Sequence, residues 1–213
     1  RRDLQELAEK GQIIKVHGGA VSLSFHNGYK SGKEVYGYTQ KRIIARKAVK
    51  LIKDGMFVFT GGGTTIIELA KELPLNLNAT FISGSLSALV EYCNHPLINV
   101  IAIGDKVSKS SKITIGPEAM AKIRELRVDI CFMGINALNI EHGVSDNDWD
   151  IVQMKKAMLD ASNKLVCLTI SEKINTRQPI PICGIDKIDT LITELEPDHP
   201  LLRPYVQAGI EVL

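Results

Sequence analysis

The amino-acid sequence predicts an α/β fold with an open, mainly parallel sheet and helices on both faces. Short apolar segments alternate with amphipathic segments along most of the chain. The short segments are apolar almost throughout, which is typical of strands buried on both faces of a parallel sheet. Glycine and small polar residues follow several of them, as expected where a ligand binds at the carboxyl ends of parallel strands.

Seven apolar segments, rich in Val, Ile, Leu and Phe, are predicted to be the strands of this sheet. They cover residues 56–60, 79–82, 98–103, 128–133, 164–170, 188–192 and 210–212. Helices are predicted between them, where apolar residues recur at helical spacing. The predicted helices cover residues 65–73, 85–93, 117–126, 148–161 and 199–208. We interpret residues 143–148 as a polar loop that leads into the fourth of these helices.

The N-terminal quarter of the chain has a different organisation. A helix is predicted over residues 1–10, where a glycine ends it, and a short strand over residues 13–16. Residues 20–37 are rich in Ser, Gly, Asn and Lys, which favours a linker or mobile loop. A further helix is predicted over residues 39–52, because its apolar residues form one stripe.

The glycine-rich segment at residues 61–65 gives the clearest indication of a binding site. An apolar strand leads into three glycines and two threonines, and an amphipathic helix follows. Glycine lets the backbone come close to a ligand, and the free N–H groups of a helix N-terminus favour an anion. We therefore predict a phosphate or carboxylate site at Gly62, Gly63, Thr64 and Thr65. A tight strand-to-helix turn with a threonine N-cap is the alternative.

Other strand ends carry residues that we include in the candidate site. Ser83, Gly84 and Ser85 follow the second predicted strand, either as further phosphate donors or as an ordinary helix N-cap. Gly116 precedes a proline at the first position of a helix. Lys173 follows the fifth predicted strand, and a lysine beside a phosphate loop is a candidate counter-charge.

The composition excludes several classes of protein. The chain has 213 residues, of which 45% are hydrophobic and 23% charged, as is ordinary for a soluble globular protein. No apolar run approaches the ~20 residues that a membrane helix needs. The four cysteines lie far apart, so we expect free thiols and a cytosolic protein. The histidines are scattered, so we expect no metal site, and nothing in the sequence indicates a cofactor.

The charge of the chain is unevenly distributed, although the formal net charge is only +2. Residues 1–50 hold eleven lysines or arginines and four acidic residues, whereas residues 51–213 hold fifteen and twenty. A basic N-terminal segment on a slightly acidic body suggests a polyanion partner. From charge alone, a solvated basic helix is the simpler interpretation.

Taken together, these features resemble the DeoR-type bacterial transcriptional regulators over essentially the whole chain. Residues 1–11 and 14–20 are similar to the end of that family's recognition helix and to its wing. The family's Gly-Thr-Thr loop corresponds to residues 63–65, and its Ser-x-x-Gly element to the stretch from Ser111 to Gly116. Its Lys-Arg-Ala-Met segment corresponds to residues 155–158, and the lysine of its Asp-x-x-Lys strand end to Lys173.

The resemblance implies a DNA-binding repressor of sugar metabolism. Residues 1–20 would be the C-terminal part of a winged helix-turn-helix domain and residues 21–38 a linker. Residues 39–213 would sense a phosphorylated sugar or related metabolite and be similar in fold to ribose-5-phosphate isomerase. The implied partners are operator DNA, the sugar effector and further copies of the chain, and the implied location is the cytoplasm.

The DNA contacts that the resemblance implies lie near the N-terminus. Arg1 and Arg2 would lie late in the recognition helix, where such side chains meet phosphates or guanine edges. Lys15 and His17 would lie on the wing, near the DNA backbone.

A sugar-phosphate isomerase or deaminase on the same fold is the alternative function. Such chemistry needs a general base, usually a carboxylate, poised over the carbon next to the carbonyl. The carboxylates near predicted strand ends show no catalytic spacing, and they are Asp105, Glu141, Asp146, Asp148 and Glu172. An enzyme also has no use for a recognition helix and a wing, so we expect a regulator without catalytic residues.

Three positions depart from the family pattern. Gly61 and Ile170 stand where the family often has aspartate, and Gly84 stands where it usually has asparagine. We therefore predict an effector that keeps its phosphate but is less polar at its other end, with Ile170 forming an apolar wall. The alternative is that Ile170 simply fills the core.

Overall fold

The computed structural model describes residues 2–9, 13–22 and 35–213, and it begins with a helix and a two-stranded hairpin. Helix α1 covers Arg2–Glu9, and strands β1 (Ile13–Val16) and β2 (Gly19–Ser22) pair antiparallel. The predicted N-terminal helix and first strand are both present, whereas the sequence does not predict β2. Most of the predicted linker at residues 21–38 lies outside the described residues.

Seven parallel strands form the central sheet. Numbered along the chain, they are β3 (Phe57–Thr60), β4 (Thr80–Ser83), β5 (Asn99–Ala102), β8 (Ile130–Gly134), β11 (Leu165–Leu168), β13 (Thr190–Ile192) and β14 (Glu211–Val212). Their spatial order is β14-β13-β11-β8-β3-β4-β5, and every neighbouring pair is parallel. Each of the seven predicted strands supplies one of them, which confirms the predicted parallel α/β sheet.

Helices cover both faces of this sheet, as predicted. They are α2 (Tyr38–Ala48, extended by a 3-10 turn over Val49–Leu51), α3 (Thr64–Lys71), α4 (Leu86–Cys93), α5 (Pro117–Arg124), α6 (Trp149–Asp160) and α7 (Arg203–Gln207). Helices α2, α3 and α4 pack on one face, and α5, α6 and α7 contribute to the core on the other. The helix predicted over residues 199–208 is divided into a 3-10 turn (Pro200–Leu202) and the short α7.

Two smaller antiparallel sheets complete the described fold, and the sequence predicts neither. A hairpin is formed by β6 (Lys106–Ser108) and β7 (Ile113–Ile115), and a three-stranded sheet by β9 (Ala137–Asn139), β10 (Gly143–Asp146) and β12 (Ile180–Cys183). The three-stranded sheet packs against α6 in the same core as one face of the central sheet.

The interpretation of residues 143–148 as a polar loop is wrong, because β10 is a strand buried along its whole length. Its two polar side chains are buried because each has a partner. The Ser145 hydroxyl accepts a hydrogen bond from the Gln178 amide (2.9 Å), and Asp146 pairs with Lys155 (2.7 Å). Gln178 is 33 residues from Ser145, and Lys155 lies nine residues from Asp146 on the following helix, so local polarity does not reveal the strand.

The central strand β3 is buried on both faces for most of its length. Val58 packs with the helices of one face and Phe59 with those of the other, and both are almost fully buried. Phe57, at the amino end of the same strand, is 46% exposed. Burying a large apolar side chain contributes about 1.5–3 kcal/mol, so Phe59 contributes far more to stability than Phe57 does.

This difference gives a matched test of the fold. Phe59→Ala is expected to lower the free energy of unfolding by about 3–5 kcal/mol, since it leaves a cavity in the core. Phe57→Ala removes the same side chain from a half-exposed position and should cost about 1 kcal/mol or less. Urea unfolding curves of the two variants measure the difference. Equal losses would contradict the described placement of β3.

Candidate anion site at the carboxyl edge of the sheet

The strand order reverses between β3 and β8, at the centre of the sheet. From β3 the chain builds outward through β4 to β5, then returns to β8 and continues the other way to β14. The loops that follow β3 and β8 leave the same edge of the sheet and turn in opposite directions. In open α/β sheets, ligands bind in the crevice that such a reversal creates.

The glycine-rich loop after β3 follows a path that requires glycine. The Gly61 amide donates to the Phe132 carbonyl of β8 (3.0 Å), which fixes the loop on the neighbouring strand. A Cβ on Gly62 would collide with the side chain of Ile113. Gly63 has a φ of 99°, in the region that other residues rarely adopt. The glycines are therefore needed for this turn before any ligand is considered.

Helix α3 begins directly after this loop without a capping side chain. The amides of Ile66 and Ile67 donate to the Gly63 carbonyl, at 3.1 and 3.2 Å. Among the described residues, no acceptor lies within hydrogen-bond distance of the amides of Thr64 and Thr65. Such donors at the positive end of a helix are satisfied by an anion.

Other helices at the same edge supply their own acceptors. The Ser85 hydroxyl accepts from the Ala88 amide in the first turn of α4 (3.4 Å). The Asp148 carboxylate accepts from the Ile151 amide in the first turn of α6 (3.1 Å). Helix α3 differs from both, since no side chain of the described chain fills this role.

The predicted site residue Gly116 lies at the N-terminus of α5, where a carboxylate of the chain itself takes the anion position. Asp105 accepts from the amides of Ala119 (3.1 Å) and Glu118 (2.9 Å). These bonds, from Ala119 above all, and a further one from the Lys106 amide hold the pKa of Asp105 below its ordinary value. A Cβ on Gly116 would lie 2.5 Å from Asp105 Oδ2, so this glycine makes room for the carboxylate.

The predicted donors after β4 are engaged inside the fold. The Ser83 hydroxyl donates to the Thr60 carbonyl (3.0 Å) and accepts from the Ser85 amide (3.1 Å). Ser85 caps α4, and a Cβ on Gly84 would collide with the Thr114 hydroxyl. The N-cap interpretation therefore accounts for this segment, and we leave it out of the site proposed below.

Lys173, in contrast, belongs to a hydrogen-bonded chain of polar side chains at the carboxyl edge. Its ammonium donates to the Asn136 side-chain carbonyl (3.0 Å), and the Asn136 amide donates to Asp146 (2.8 Å). Asp146 also accepts from Lys155 at 2.7 Å, and both members of this pair are buried. Asp146 thus compensates Lys155, while Lys173 has only a neutral direct acceptor.

A further lysine, Lys41 in the first turn of α2, is buried beside this chain. It is 9% exposed, and its ammonium donates to the Tyr36 carbonyl at 2.5 Å. Lys41 is not among the site residues that the sequence predicts. It nevertheless continues the apolar stripe of α2, one turn before Ile44 and Ala45, which is the pattern that indicates its burial. A long cationic side chain in an apolar stripe favours an anion nearby.

Burial lowers the pKa values of Lys41 and Lys173, and neighbouring positive charges contribute to the shift at Lys173. Burial, together with the positive charges of Lys41 and Lys155, lowers the pKa of Lys173 to about 8. Burial also lowers the pKa of Lys41 to about 8, although Glu172 acts against this. Burial raises the pKa of Asp146, but Lys155 more than offsets this and leaves it below its ordinary value. Two lysines are therefore left with incompletely compensated charge.

Backbone contacts link the glycine-rich loop to these polar side chains. A Cβ on Gly134 would lie 3.2 Å from the Gly62 carbonyl, and Asn136 follows two residues later. A Cβ on Gly61 would lie 3.6 Å from the terminal methyl of Met158, one helical turn after Lys155. The structure thus brings the uncapped end of α3 and the lysines to the same edge of the sheet.

Ile170 lies in the core, 3% exposed, and not as an exposed wall. Its side chain is 3.6 Å from the position of a Cβ on Gly37, at the start of α2. A cleft of about 520 Å³ opens beside this contact, lined by residues 35–40 and Glu172. The placement agrees with the alternative that Ile170 fills the core.

The predicted DNA-contacting residues lie in the N-terminal part. Arg1 is outside the described residues, and the backbone of Arg2 begins α1. Lys15 on β1 and His17 in the turn to β2 are exposed, and the Lys15 ammonium donates to Gln5 of α1 at 2.5 Å. This bond joins the hairpin to the helix.

Two negative findings concern the described residues. Within residues 2–9, 13–22 and 35–213, no helix is long and apolar enough to cross a membrane. In the same residues, no group of histidine, cysteine or acidic side chains is arranged to hold a metal ion.

Comparison with known families identifies both parts of the chain. Residues 37–195 match the DeoR C-terminal sensor domain, and residues 1–25 match the DeoR-like helix-turn-helix domain. The chain belongs to the DeoR family of transcriptional regulators. This confirms the resemblance seen in the sequence, and it places the chain among regulators and not among enzymes.

Two named relatives agree with this assignment, and solved structures show a similar fold. The chain is 31% identical to the HTH-type transcriptional regulator GlpR of Haloferax volcanii and 30% identical to GolR of Listeria innocua, covering 100% of this chain and 84% of each relative. The fold is similar to eIF2B beta from Chaetomium thermophilum (TM-score 0.52, 16% identity, 80% of this chain, 53% of that one). Ribose 5-phosphate isomerase A from Methanocaldococcus jannaschii also matches (TM-score 0.47, 22% identity, 65% and 55%).

The buried pair of Lys155 and Asp146 gives a prediction for stability. Lys155→Met leaves a buried carboxylate without its counter-charge and is expected to cost about 3–5 kcal/mol near neutral pH. The pKa of Asp146 is lowered in the folded protein, so its paired form stabilises the wild type above the ordinary pKa and is lost as the pH falls. The cost of the substitution should therefore shrink toward about pH 4.

Urea unfolding at several pH values measures this cost. Lys156→Met is the control, because the neighbouring lysine is half-buried and should change the unfolding free energy by only about 0.5 kcal/mol. A cost that is the same at acidic and neutral pH would show that the charge of Asp146 is not responsible.

Proposed function

We propose that this chain is a repressor that binds a phosphorylated sugar at the crevice between the ends of β3 and β8. The uncapped amides of Thr64 and Thr65 are the observation that carries this proposal. A phosphate group at this helix terminus would accept hydrogen bonds from them and would lie in the favourable field of the helix. The threonine hydroxyls and the Gly62 and Gly63 amides would complete the cradle.

Electrostatics supports an anion at this position. Lys41 is buried and Lys173 is partly buried, and each has only a neutral direct acceptor, so the fold compensates each charge incompletely. A phosphate dianion would supply the missing negative charge, in a partly buried place where such an interaction is screened less than at the surface. Lys155 is already paired with Asp146 and would orient Asn136 through that carboxylate.

The N-terminal part supports the DNA-binding half of the proposal. It matches the helix-turn-helix family model over residues 1–25 and presents exposed polar side chains on its hairpin. Operator DNA is the partner that this combination favours, with the exposed Lys15 and His17 near the DNA backbone. A regulator of this kind acts in the cytoplasm, where the chromosome lies.

We also propose that the sensor domain assembles as a symmetric dimer through the edge strand β5. This edge exposes Ile101 of β5 (41%) on one face of the sheet and Leu86 and Val90 of α4 on the other, with Leu97 in the loop between α4 and β5. An uncharged apolar edge strand favours pairing with another chain, and a second copy pairs by a two-fold axis. Operators with two half-sites require such symmetry in the protein that binds them.

The dimer is tested with one charge on the edge. Ile101→Lys should convert the dimer to a monomer, because a buried unpaired charge in an interface is costly. Leu75→Lys is the control, since Leu75 is 73% exposed and lies outside the proposed surface. Sedimentation velocity measures both. A wild-type monomer, or an unchanged dimer in Ile101→Lys, would contradict this surface.

The anion site itself is tested with a double substitution. Sugar phosphates are expected to raise the melting temperature of the wild type, and at a hundredfold excess over its dissociation constant a ligand adds about 2.7 kcal/mol. Thr64→Ala with Thr65→Ala should remove most of this response. Thr80→Ala is the control, because Thr80 lies at the amino edge of the sheet, at the start of β4.

Two outcomes of this melting experiment would overturn the site. The first is that no phosphorylated sugar changes the melting temperature of the wild type. The second is that the double variant and Thr80→Ala respond alike.

The lysines predict a dependence of binding on pH. A sugar phosphate is already a dianion above about pH 7, so a change in affinity at higher pH comes from the protein. Lys41 and Lys173 have pKa values of about 8 and lose their charge as the pH rises. Affinity should therefore fall from about pH 7 to about pH 9. Calorimetric titrations measure it, and Lys41→Met with Lys173→Met should flatten the profile; an equally steep profile would exclude both lysines.

A further inference from the structure

The residues just before α2 form a short strap over the carboxyl edge of the sheet. This strap, Val35–Gly37, is fastened at three points. The Tyr36 hydroxyl donates to the Glu172 carboxylate at 2.5 Å, and the Tyr36 carbonyl accepts from Lys41 at 2.5 Å. Gly37 packs on Ile170 of the core. The strap is thus held by side chains that also belong to the edge with the proposed anion site.

The strap is also the place where the chain from the DNA-binding part enters the sensor domain. Residues 23–34 precede it in the sequence and follow directly on β2. A change in the position of the strap would therefore reach α1 and the β1–β2 hairpin through residues 23–34. No other covalent connection joins the two parts of the chain.

Lys41 connects the strap to the anion site. An ammonium group has three donors, and the Tyr36 carbonyl takes one of them. A phosphate that accepts another donor would stabilise the charged lysine in its buried position. It would also hold the ammonium group from a second side, which restricts Lys41 to the position in which it donates to the Tyr36 carbonyl.

Building on the proposed function, we propose that Tyr36 and Lys41 transmit the effector state to the DNA-binding part. The bound anion holds Lys41 on the Tyr36 carbonyl, and the bond from Tyr36 to Glu172 keeps the strap closed on the sheet. Without the anion, Lys41 holds the strap less firmly. In this scheme the strap has two states, and both the effector and the DNA change the balance between them. Coupling between two sites requires such a shared element.

Tyr36 is a positioning residue in this scheme, since it acts through Lys41 and Glu172. Loss of its hydroxyl should change the response of the strap to phosphate more than it changes the affinity for phosphate. Tyr36→Phe removes only the hydroxyl and keeps the carbonyl that Lys41 contacts. Tyr38→Phe is a matched control two residues away. The Arg42 Cζ lies 5.8 Å from the centroid of the Tyr38 ring, and the substitution keeps this ring.

The test is hydrogen–deuterium exchange on this 213-residue chain, with inorganic phosphate as the probe and chloride at matched ionic strength as the reference. Phosphate should slow exchange at residues 35–41 and change exchange at residues 13–22 in the wild type and in Tyr38→Phe. In Tyr36→Phe both effects should be lost. Its phosphate affinity, measured by thermal shift, should stay within about threefold of the wild-type value, which is less than the change in affinity that coupling between two sites typically produces.

Glu172→Ala is the second variant, and it covers the case in which Tyr36→Phe does not fold. Glu172 is exposed, so its loss is not expected to unfold the domain. The substitution also removes a negative charge near Lys41 and Lys173. Phosphate should therefore bind at least as tightly as in the wild type, yet give no protection at residues 35–41. A merely structural role of Glu172 would not separate these two readouts.

The outcomes separate this inference from the proposed function. If phosphate binds the wild type but leaves residues 13–22 and 35–41 unchanged, the strap does not transmit, and the anion site stands. If Tyr36→Phe loses phosphate affinity as fully as the double threonine variant, Tyr36 belongs to the binding site and the transmitting role is wrong. If phosphate does not bind the wild type, the anion site and the strap mechanism both fail.

Discussion

The reversal of strand order between β3 and β8 organises everything else at the carboxyl edge of the sheet. These two strands are neighbours and their loops turn apart, yet the backbone of one loop lies against the backbone of the other. Gly62 and Gly63 are needed to follow this path, and helix α3 begins where it ends. The same geometry brings Asn136 and Lys173 to the edge. The anion site that we propose at this place therefore rests on topology as much as on particular side chains.

The energetic balance of the site depends on which charges the fold compensates. Asp146 lies 2.7 Å from Lys155, and Asp105 occupies the N-terminus of α5, so these charges are satisfied within the protein. Lys41 and Lys173 have only carbonyl acceptors, and burial lowers their pKa values to about 8. Incomplete compensation costs stability in the ligand-free protein. In the proposed site, it is also what would make the protein respond to an anion, since the ligand would recover the energy that the fold has lost.

The sequence predicts the central sheet well, because its strands are apolar on both faces and this pattern depends on local composition alone. It does not predict β10, since the burial of Ser145 and Asp146 depends on partners that only the folded chain brings near. The glycine-rich loop is recognisable for the same local reason as the strands. Lys41 carries a visible signal, its position in an apolar stripe, but its acceptor is known only once α2 is placed on the sheet. Residues fixed by local geometry are thus predictable, and buried polar pairs are not.

One measurement tests the central claim directly, namely that a phosphate binds at the start of α3. Inorganic phosphate can be titrated into the ¹⁵N-labelled chain while the backbone amide signals are followed by NMR. The account predicts that the largest shifts occur at the amides of Gly62, Gly63, Thr64 and Thr65, the donors without an acceptor in the described chain. Signals at the N-terminus of α5, where Asp105 already accepts, should change little. Largest shifts in the basic N-terminal part, with the loop after β3 unchanged, would contradict the account.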